Sequence, residues 1–462
     1  MSDYELIVIG AGPGGYTAAL KAAELGKKTA VIEMDKAGGT CLNRGCIPTK
    51  ALLHASGTYR EALEGIRMGI HAEGLSVSLP ELFGYKDSIV ETLRAGIGTL
   101  LKNAKIPLIS GKARITGPHT VTVSADGSEG YTYTADAILI ATGSAPARPP
   151  IEGLDLPGVW TSDEILNGYE RQPSSIVIIG GGVIGIEFAT FYADLGIPVT
   201  VVEGLDRLLP AMDRELGQSL AMLLKARGVR VVTEAMVKKI ESAETGLCVR
   251  YERKGAEETA EGEAILCAIG RRPYWDGLFA EEITPLTEGR RLLVSDSFET
   301  SVPGIYAIGD VSSRIQLAHA AAAQGVCFAE TLCGKERSVD LSLIPACVYA
   351  RPEIAAIGLT EADAKASGRA VKTGKCVMGA NARTLIASPG RSFIKLTADA
   401  ETGQLLGAVL MCDRATDMIP ELAQAIENHM TPSEMLRTVR AHPTFSEALT
   451  DALNDLERKL GK

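Results

Sequence analysis

Two cysteines five positions apart, Cys41 and Cys46, stand in the stretch Gly38-Gly39-Thr40-Cys41-Leu42-Asn43-Arg44-Gly45-Cys46-Ile47-Pro48-Thr49-Lys50. At that spacing, beside Gly45 and Pro48, they can close a small disulfide loop at the start of a helix. The positive end of the helix dipole lowers a thiol pKa there and gives a reactive thiolate near neutral pH. Two inert, buried cysteines are the bland alternative. A metal site is disfavoured, because no second pair or nearby histidine completes four ligands. Structural disulfides are rare in the cytosol, so a pair that follows a dinucleotide-type motif reads as catalytic. Exchange between such a disulfide and an incoming dithiol needs a base. His442, with Glu447 five residues on in Ala441-His442-Pro443-Thr444-Phe445-Ser446-Glu447, fits that need. Histidine titrates near physiological pH, and a nearby carboxylate fixes its tautomer and supports its charged form.

The elements that must position these groups come from an internal repeat. Leu6-Ile7-Val8-Ile9 is an apolar strand that runs into the turn Gly10-Ala11-Gly12-Pro13-Gly14-Gly15, and Ile176-Val177-Ile178-Ile179 runs likewise into Gly180-Gly181-Gly182-Val183-Ile184-Gly185, an offset of 170. Leu25-Gly26 and Leu195-Gly196 keep the offset, as do the strand ends Val31-Ile32-Glu33 and Val201-Val202-Glu203. Each copy is therefore strand, GxGxxG turn, helix, and a second strand ending in an acid. Gly10 and Gly180 allow the tight turn, Gly12 and Gly182 let backbone approach a pyrophosphate at the helix N-terminus, and Gly15 and Gly185 let helix and strand pack closely. Glu33 and Glu203 stand where a carboxylate can accept hydrogen bonds from ribose hydroxyls. One such turn is weak support; two copies with matching acids imply two dinucleotides. The carboxylate of Glu203 would repel a 2′-phosphate, which favours NAD over NADP. Arg207 behind it reads as an ordinary surface charge.

Further punctuation follows. Ala137-Ile138-Leu139-Ile140-Ala141-Thr142-Gly143 is a short buried strand with a glycine turn, leading to the proline-rich Pro146–Pro150, and Ala264-Ile265-Leu266-Cys267-Ala268-Ile269-Gly270 mirrors it in the second unit. Val302–Asp310 is a strand closing on Gly309-Asp310. From about Leu341 the pattern changes to strand-like segments and two helical stretches without phosphate turns, read as a separate C-terminal domain.

Composition sets the outer limits. At 462 residues several domains are expected. A formal charge of -10 argues against a nucleic-acid partner. No apolar run approaches the roughly 20 residues of a membrane span, and Met1-Ser2-Asp3-Tyr4-Glu5 lacks the basic start of a signal peptide. Nine scattered cysteines do not read as a secreted disulfide framework. A cytoplasmic enzyme with no membrane partner is the plain expectation.

The motif Gly39-Thr40-Cys41-Leu42-Asn43-x-Gly45-Cys46-Ile47-Pro48-x-Lys50 resembles the active-site signature of class I pyridine-nucleotide-disulfide oxidoreductases, and its Leu-Asn and Ile-Pro choices look most like dihydrolipoyl dehydrogenases. The resemblance runs along essentially the whole chain, through Gly309-Asp310, Leu317-Ala318-His319 and Ala441–Glu447. Arg44 departs from the small apolar residue of many relatives, and Arg440 stands where a histidine often precedes the alanine. The resemblance implies an α/β fold with two Rossmann-like dinucleotide-binding domains, for FAD and NAD, plus a C-terminal α+β dimerisation domain. The expected boundaries are 1–148 for the first part of the FAD-binding domain, 149–270 for the NAD-binding domain, 271–340 for the second FAD-binding part and 341–462 for the interface domain.

It also implies roles. Cys41 is the interchange thiol that meets substrate and Cys46 the thiol packed against the flavin. Electrons pass from the dithiol through FAD to NAD⁺. His442 with Glu447 would reach the disulfide of the partner subunit, so a homodimer is implied. Lys50 and Glu187 are expected to pair beside the flavin. Asp310 is expected to bind the ribityl chain, and the helix from Leu317, Ala318 and His319 to aim its amides at the flavin ring, with His319 itself structural. Thr142, Gly143 and Gly270 complete the expected cofactor contacts. The implied activity is oxidation of dihydrolipoamide on a lipoyl-bearing protein of a 2-oxo acid dehydrogenase or glycine cleavage complex. Another FAD-dependent NAD(P)H:disulfide reductase of the same family is the alternative within the class, and an assembly component of a multienzyme core the alternative outside it. The other cysteines, Cys248, Cys267, Cys327, Cys333, Cys347, Cys376 and Cys412, show no redox or metal spacing and read as small hydrophobes.

Overall fold

The structure, a computed structural model, describes residues 2–124, 130–168, 172–387 and 390–461. Strand β1 (Tyr4–Ile9), helix α1 (Pro13–Glu24) and strand β2 (Thr29–Glu33) open the chain. Leu6, Ile7, Val8 and Ile9 are all buried, as continuous apolar strands of a parallel sheet covered on both faces must be. Strands stand in the order 108–110, β2, β1, Tyr131–Ile140, with Ile305–Ala307 also parallel to the last. Two antiparallel strands, Thr120–Ser124 and Lys112–Gly117, extend that edge.

The second unit repeats the design. Its sheet has the order Arg230–Val232, Val199–Val202, Ile176–Ile179, Ala264–Cys267, Val159–Trp160, all parallel. In both units the first strand therefore lies between the second and the fourth. Val8 faces Val31 and Leu139, and Ile178 faces Val201 and Leu266. Connections leave the first strand in opposite directions, so a crevice opens at its carboxyl end, where nucleotides bind in such sheets.

The glycine turns show why only glycine serves. Gly10 and Gly180 have φ of +106° and +108°, and a Cβ there would lie 2.4 Å from Ala141 O and 2.5 Å from Ala268 O. A Cβ on Gly15 or Gly185 would come within 1.9 or 2.0 Å of the carbonyl of Gly10 or Gly180. Close packing of strand on helix is thus built into both copies.

The redox stretch folds as two helices, α2 (Gly39–Arg44) and α3 (Cys46–Glu64), separated by Gly45. Cys46 is the first residue of α3. Helix Val183–Asp194, which starts from the second glycine turn and carries Glu187, packs beside α3. Beyond 340 a five-stranded antiparallel sheet divides its side chains between two cores. Val409 and Met411 join the core around helix Val183–Asp194, while Ala408 and Leu410 face helices Ala415–Glu427 and Ala448–Leu460. The sequence reading of two helical stretches here is corrected: five helices occur among the described residues. Two of the three additional ones, Glu361–Ala366 and Pro432–Leu436, begin at threonine capping boxes rather than on an apolar stripe. No described helix is long and apolar enough to cross a membrane.

Gly185→Ala should force the Glu187 helix away from its strand and cost about 1–3 kcal/mol. A fall in the urea midpoint of unfolding checks this.

Candidate active site

The carboxyl ends of both parallel sheets open on one cavity of about 1320 Å³, larger than the roughly 300–1,000 Å³ of a usual small-ligand site. Gly10, Gly12, Gly14 and Glu33 line one part, and Gly180, Gly182, Glu203 and Gly270 another. Cys41, Cys46, Lys50, Glu187, Thr142, Gly143, Asp310, Leu317, Ala318 and His319 line the same cavity. Gly15 and Gly185 are packing positions behind it.

The repeat extends to its hydrogen bonds. Glu33 Oε2 accepts from Ala11 N (2.7 Å) and Oε1 from Asp35 N (2.9 Å); Glu203 Oε2 accepts from Gly181 N (2.5 Å) and Oε1 from Leu205 N (2.7 Å). A carboxylate has about four acceptor sites, so each acid ties its own turn and keeps capacity for a ribose. A Cβ on Gly182 would meet nothing within 4 Å, which leaves the turn's backbone open to the cavity. These features fit two dinucleotides. Arg207, expected as an ordinary surface charge, is instead half-buried, bound to Asp206 (2.9 Å) and to the Pro210 carbonyl (2.9 Å).

Cys41 and Cys46 are both thiols, and each is the strongest influence on the other's titration. The neighbouring Cys41 thiol is the main reason the Cys46 thiol is lowered to about 7; burial opposes it and the Lys50 ammonium assists. Cys41 is raised, because its Cys46 neighbour and its burial both favour the protonated thiol. Lys50 Nζ contacts Glu187 Oε1 and Oε2 at 2.9 and 2.8 Å. Burial alone would push the ammonium down, but the Glu187 carboxylate outweighs it and Lys50 is raised. Tyr349 N donates to Glu187 Oε1 (3.1 Å), and its ring lies 4.6 Å from Lys50 Nζ.

Asp310 accepts from Ser144 Oγ, which in turn accepts from Arg271 Nε (2.8 Å). Burial raises the Asp310 carboxyl and lowers the Arg271 guanidinium. The sequence reading gave neither Ser144 nor Arg271 a role, although each directly follows a turn glycine, Gly143 or Gly270, that it assigned to cofactor binding. Thr142 Oγ1 donates to the Tyr274 carbonyl (2.5 Å). Leu317 caps helix Ala318–Leu332, and His319 Nε2 lies 2.7 Å from the Pro345 carbonyl.

His442 and Glu447 meet, Nδ1 to Oε2 at 2.8 Å, but they lie outside the cavity, and the His442 side chain is 75% exposed. Asn381, also unforeseen, donates to Glu447 Oε1 (3.2 Å) and to the Thr444 carbonyl (3.1 Å). One chain therefore assembles the thiols and both nucleotide turns, and leaves the histidine dyad facing outward.

Residues 4–325 match the pyridine nucleotide-disulphide oxidoreductase family, and residues 344–453 match that family's dimerisation domain. The chain belongs to this family. Its cofactors are FAD and NAD, and by its dimerisation domain the protein is a homodimer. It is 39% identical to a dihydrolipoyl dehydrogenase of Bacillus subtilis over 98% of this chain and 97% of that one. It is 39% identical to the dihydrolipoyl dehydrogenase of Geobacillus stearothermophilus over 97% and 95%. Among solved structures it is similar to LpdA of Mycobacterium tuberculosis, with TM-score 0.89, 29% identity and coverage of 97% and 99%. It is also similar to the HOCl-induced flavoprotein disulfide reductase RclA of Escherichia coli, with TM-score 0.86, 28% identity and coverage of 98% and 99%. The two cysteines stand at the junction of both nucleotide units.

In Cys41→Ser, alkylation of Cys46 by iodoacetamide should follow a thiolate that forms near pH 7, since serine can still donate to it. In Cys46→Ser, the Cys41 thiolate should form only at higher pH. Rate profiles for the two variants, with alkylation quantified at the named cysteine, check the order.

Proposed function

We propose that the protein is a dihydrolipoyl dehydrogenase that oxidises the dihydrolipoyl group of a partner protein with NAD⁺ as acceptor. The observation that carries this reading is the Cys41–Cys46 pair, which lies with Lys50 in a cavity shared by two nucleotide turns. The names of the relatives agree with it.

In this reading the oxidised pair is a Cys41–Cys46 disulfide. A substrate thiolate attacks Cys41 Sγ, and Cys46 leaves as the thiolate; a leaving thiol of low pKa leaves faster. The second substrate sulfur then attacks the first, which closes the lipoyl disulfide and releases Cys41. Two electrons thus reach the Cys41–Cys46 dithiol. Bound FAD supplies the acceptor for that pair of electrons and the route to NAD⁺. Lys50, fixed by Glu187, holds positive charge beside Cys46. With Nδ1 facing Glu447, the Nε2 of His442 is the atom that takes the substrate proton. Because the dyad points outward, it serves the Cys41 of the partner subunit. Gly10, Gly12, Gly14, Glu33, Thr142, Gly143, Asp310 and the helix start at Leu317–His319 hold FAD; Gly180, Gly182, Glu203 and Gly270 hold NAD.

The partner is a lipoyl-bearing protein of a 2-oxo acid dehydrogenase or glycine cleavage complex, and the site of action is the cytoplasm. The seven cysteines outside the pair are free, which suits a reducing compartment. The similarity to RclA favours a second reading, a disulfide reductase that runs from NAD(P)H to another disulfide. NADH formation from dihydrolipoamide separates the two: a rate no better than with unrelated dithiols would overturn the first.

Two variants probe the site. Glu203→Gln keeps an acceptor for Gly181 N but removes the charge facing a 2′-phosphate. The ratio of kcat/KM for NAD over NADP should fall by about tenfold, in line with one lost charge contact, as steady-state kinetics with both nucleotides will read. His442→Gln should lose dithiol oxidation by about 10²- to 10⁴-fold while reduction of the flavoprotein by NADH persists. Mixing it with Cys41→Ser under subunit exchange should restore activity, since one interface of the mixed dimer then holds both intact residues. Demonstrated exchange without recovery would place the base in its own chain.

A further inference from the structure

Helix α3 carries a glycine in its interior, Gly57, although glycine is a poor helix residue. A Cβ there would sit 1.4 Å from Nη2 of Arg351. The guanidinium crosses the helix where a side chain is missing. Its Nε donates to Asp194 Oδ2 (3.1 Å) and its Nη1 to Glu61 Oε1 (3.0 Å). Asp194 is 3% exposed and ends the helix that carries Glu187. Ser56 Oγ reaches the same carboxylate at 3.4 Å, and Arg227 stands 3.9 Å from its other oxygen.

Two residues before Arg351, Tyr349 N is bound to Glu187 Oε1. Lys50 and Gly57 are seven residues apart on α3, and Glu187 and Asp194 are seven apart on theirs. Seven residues are two helical turns, so each pair shares a face. The short segment 349–351 therefore fastens the same two helices at two levels. One level is the Lys50–Glu187 pair beside Cys46, and the other is Arg351–Asp194 across Gly57.

We propose that Arg351 is a positioning residue for the redox centre: by bridging Asp194 and Glu61 over Gly57 it fixes the register of the two helices and thereby holds Lys50 against Cys46. A buried ion pair of this kind gives little net stability against an apolar replacement, and fixing register is its best-attested use. The inference rests on the roles of Cys46 and Lys50 given above. The charged or titrating groups that act on Cys46 are Cys41, Lys50, Glu187 and Arg271. Arg351 crosses α3 at Gly57, eleven residues beyond Cys46, so its influence there runs through Lys50.

The test uses the FAD-loaded homodimer carrying Cys41→Ser, with iodoacetamide alkylation quantified at Cys46 across pH. Arg351→Gln and Gly57→Ala should each move the midpoint upward, toward the roughly 8.5 of a free thiol, and slow alkylation at pH 7 by about tenfold. Gly57→Ala keeps every charge and a better helix residue, so it serves where Arg351→Gln fails to fold. Lys50→Met should slow the reaction similarly, and adding Arg351→Gln to it should change nothing more, because both act through one group. Unmoved midpoints in Arg351→Gln and Gly57→Ala, with only thermal stability lost, would overturn the proposal. So would strictly additive effects. An unmoved midpoint in Lys50→Met would instead overturn the reading of Lys50 itself, and the proposal with it.

Discussion

Lys50 and Glu187 come from helices that begin at different motifs, and their contact is where the architecture converges. Glu187 is almost wholly buried, and a carboxylate in that position is tolerable only with partners. It has three polar contacts: two to the Lys50 ammonium and one from the Tyr349 backbone. Those partners belong to α3, which starts at Cys46, and to the strand-rich C-terminal region. Satisfying one buried charge thus ties both nucleotide units and the C-terminal sheet into one arrangement. The thiols inherit their geometry from it.

The electrostatics of the pair follow from that placement. Burial by itself raises a thiol, and both cysteines are buried enough to feel it. The difference between them comes from placement: the Cys41 thiol and the Lys50 ammonium favour the Cys46 thiolate, while Cys46 and burial favour the Cys41 thiol. A helix N-terminus adds to the bias, since Cys46 is the first residue of α3. Two chemically identical groups are thereby biased in opposite directions by where they sit.

Much of this was legible in the sequence because the constraints involved are local. A backbone at φ near +106° or a carbonyl 1.9 Å from a would-be Cβ admits only glycine, so Gly10, Gly15, Gly180 and Gly185 leave a readable trace. The cysteine spacing and the His442–Glu447 signature do likewise. Other features were not legible. The chain Arg271–Ser144–Asp310, the Asn381 contact on Glu447 and the bridge from Arg351 to Asp194 join ordinary polar residues far apart in sequence. No periodicity marks them. Gly57 was the one available hint, since a glycine inside a long helix often signals close approach by another group. Two of the three short helices beyond 340 escaped because a threonine cap, rather than a hydrophobic stripe, carries their signal.

The two strand-end acids carry a last implication. Glu203 binds the amide of Gly181, and Glu33 that of Ala11, whether or not a ribose is there to compete for the remaining lone pairs. The residue proposed to select the coenzyme is also a rivet in the scaffold. A substitution of either acid by a smaller residue would remove a backbone tie and leave a buried amide seeking an acceptor. Coenzyme switching in this architecture is therefore a folding problem before it is a recognition problem, and it calls for a second substitution that restores the tie.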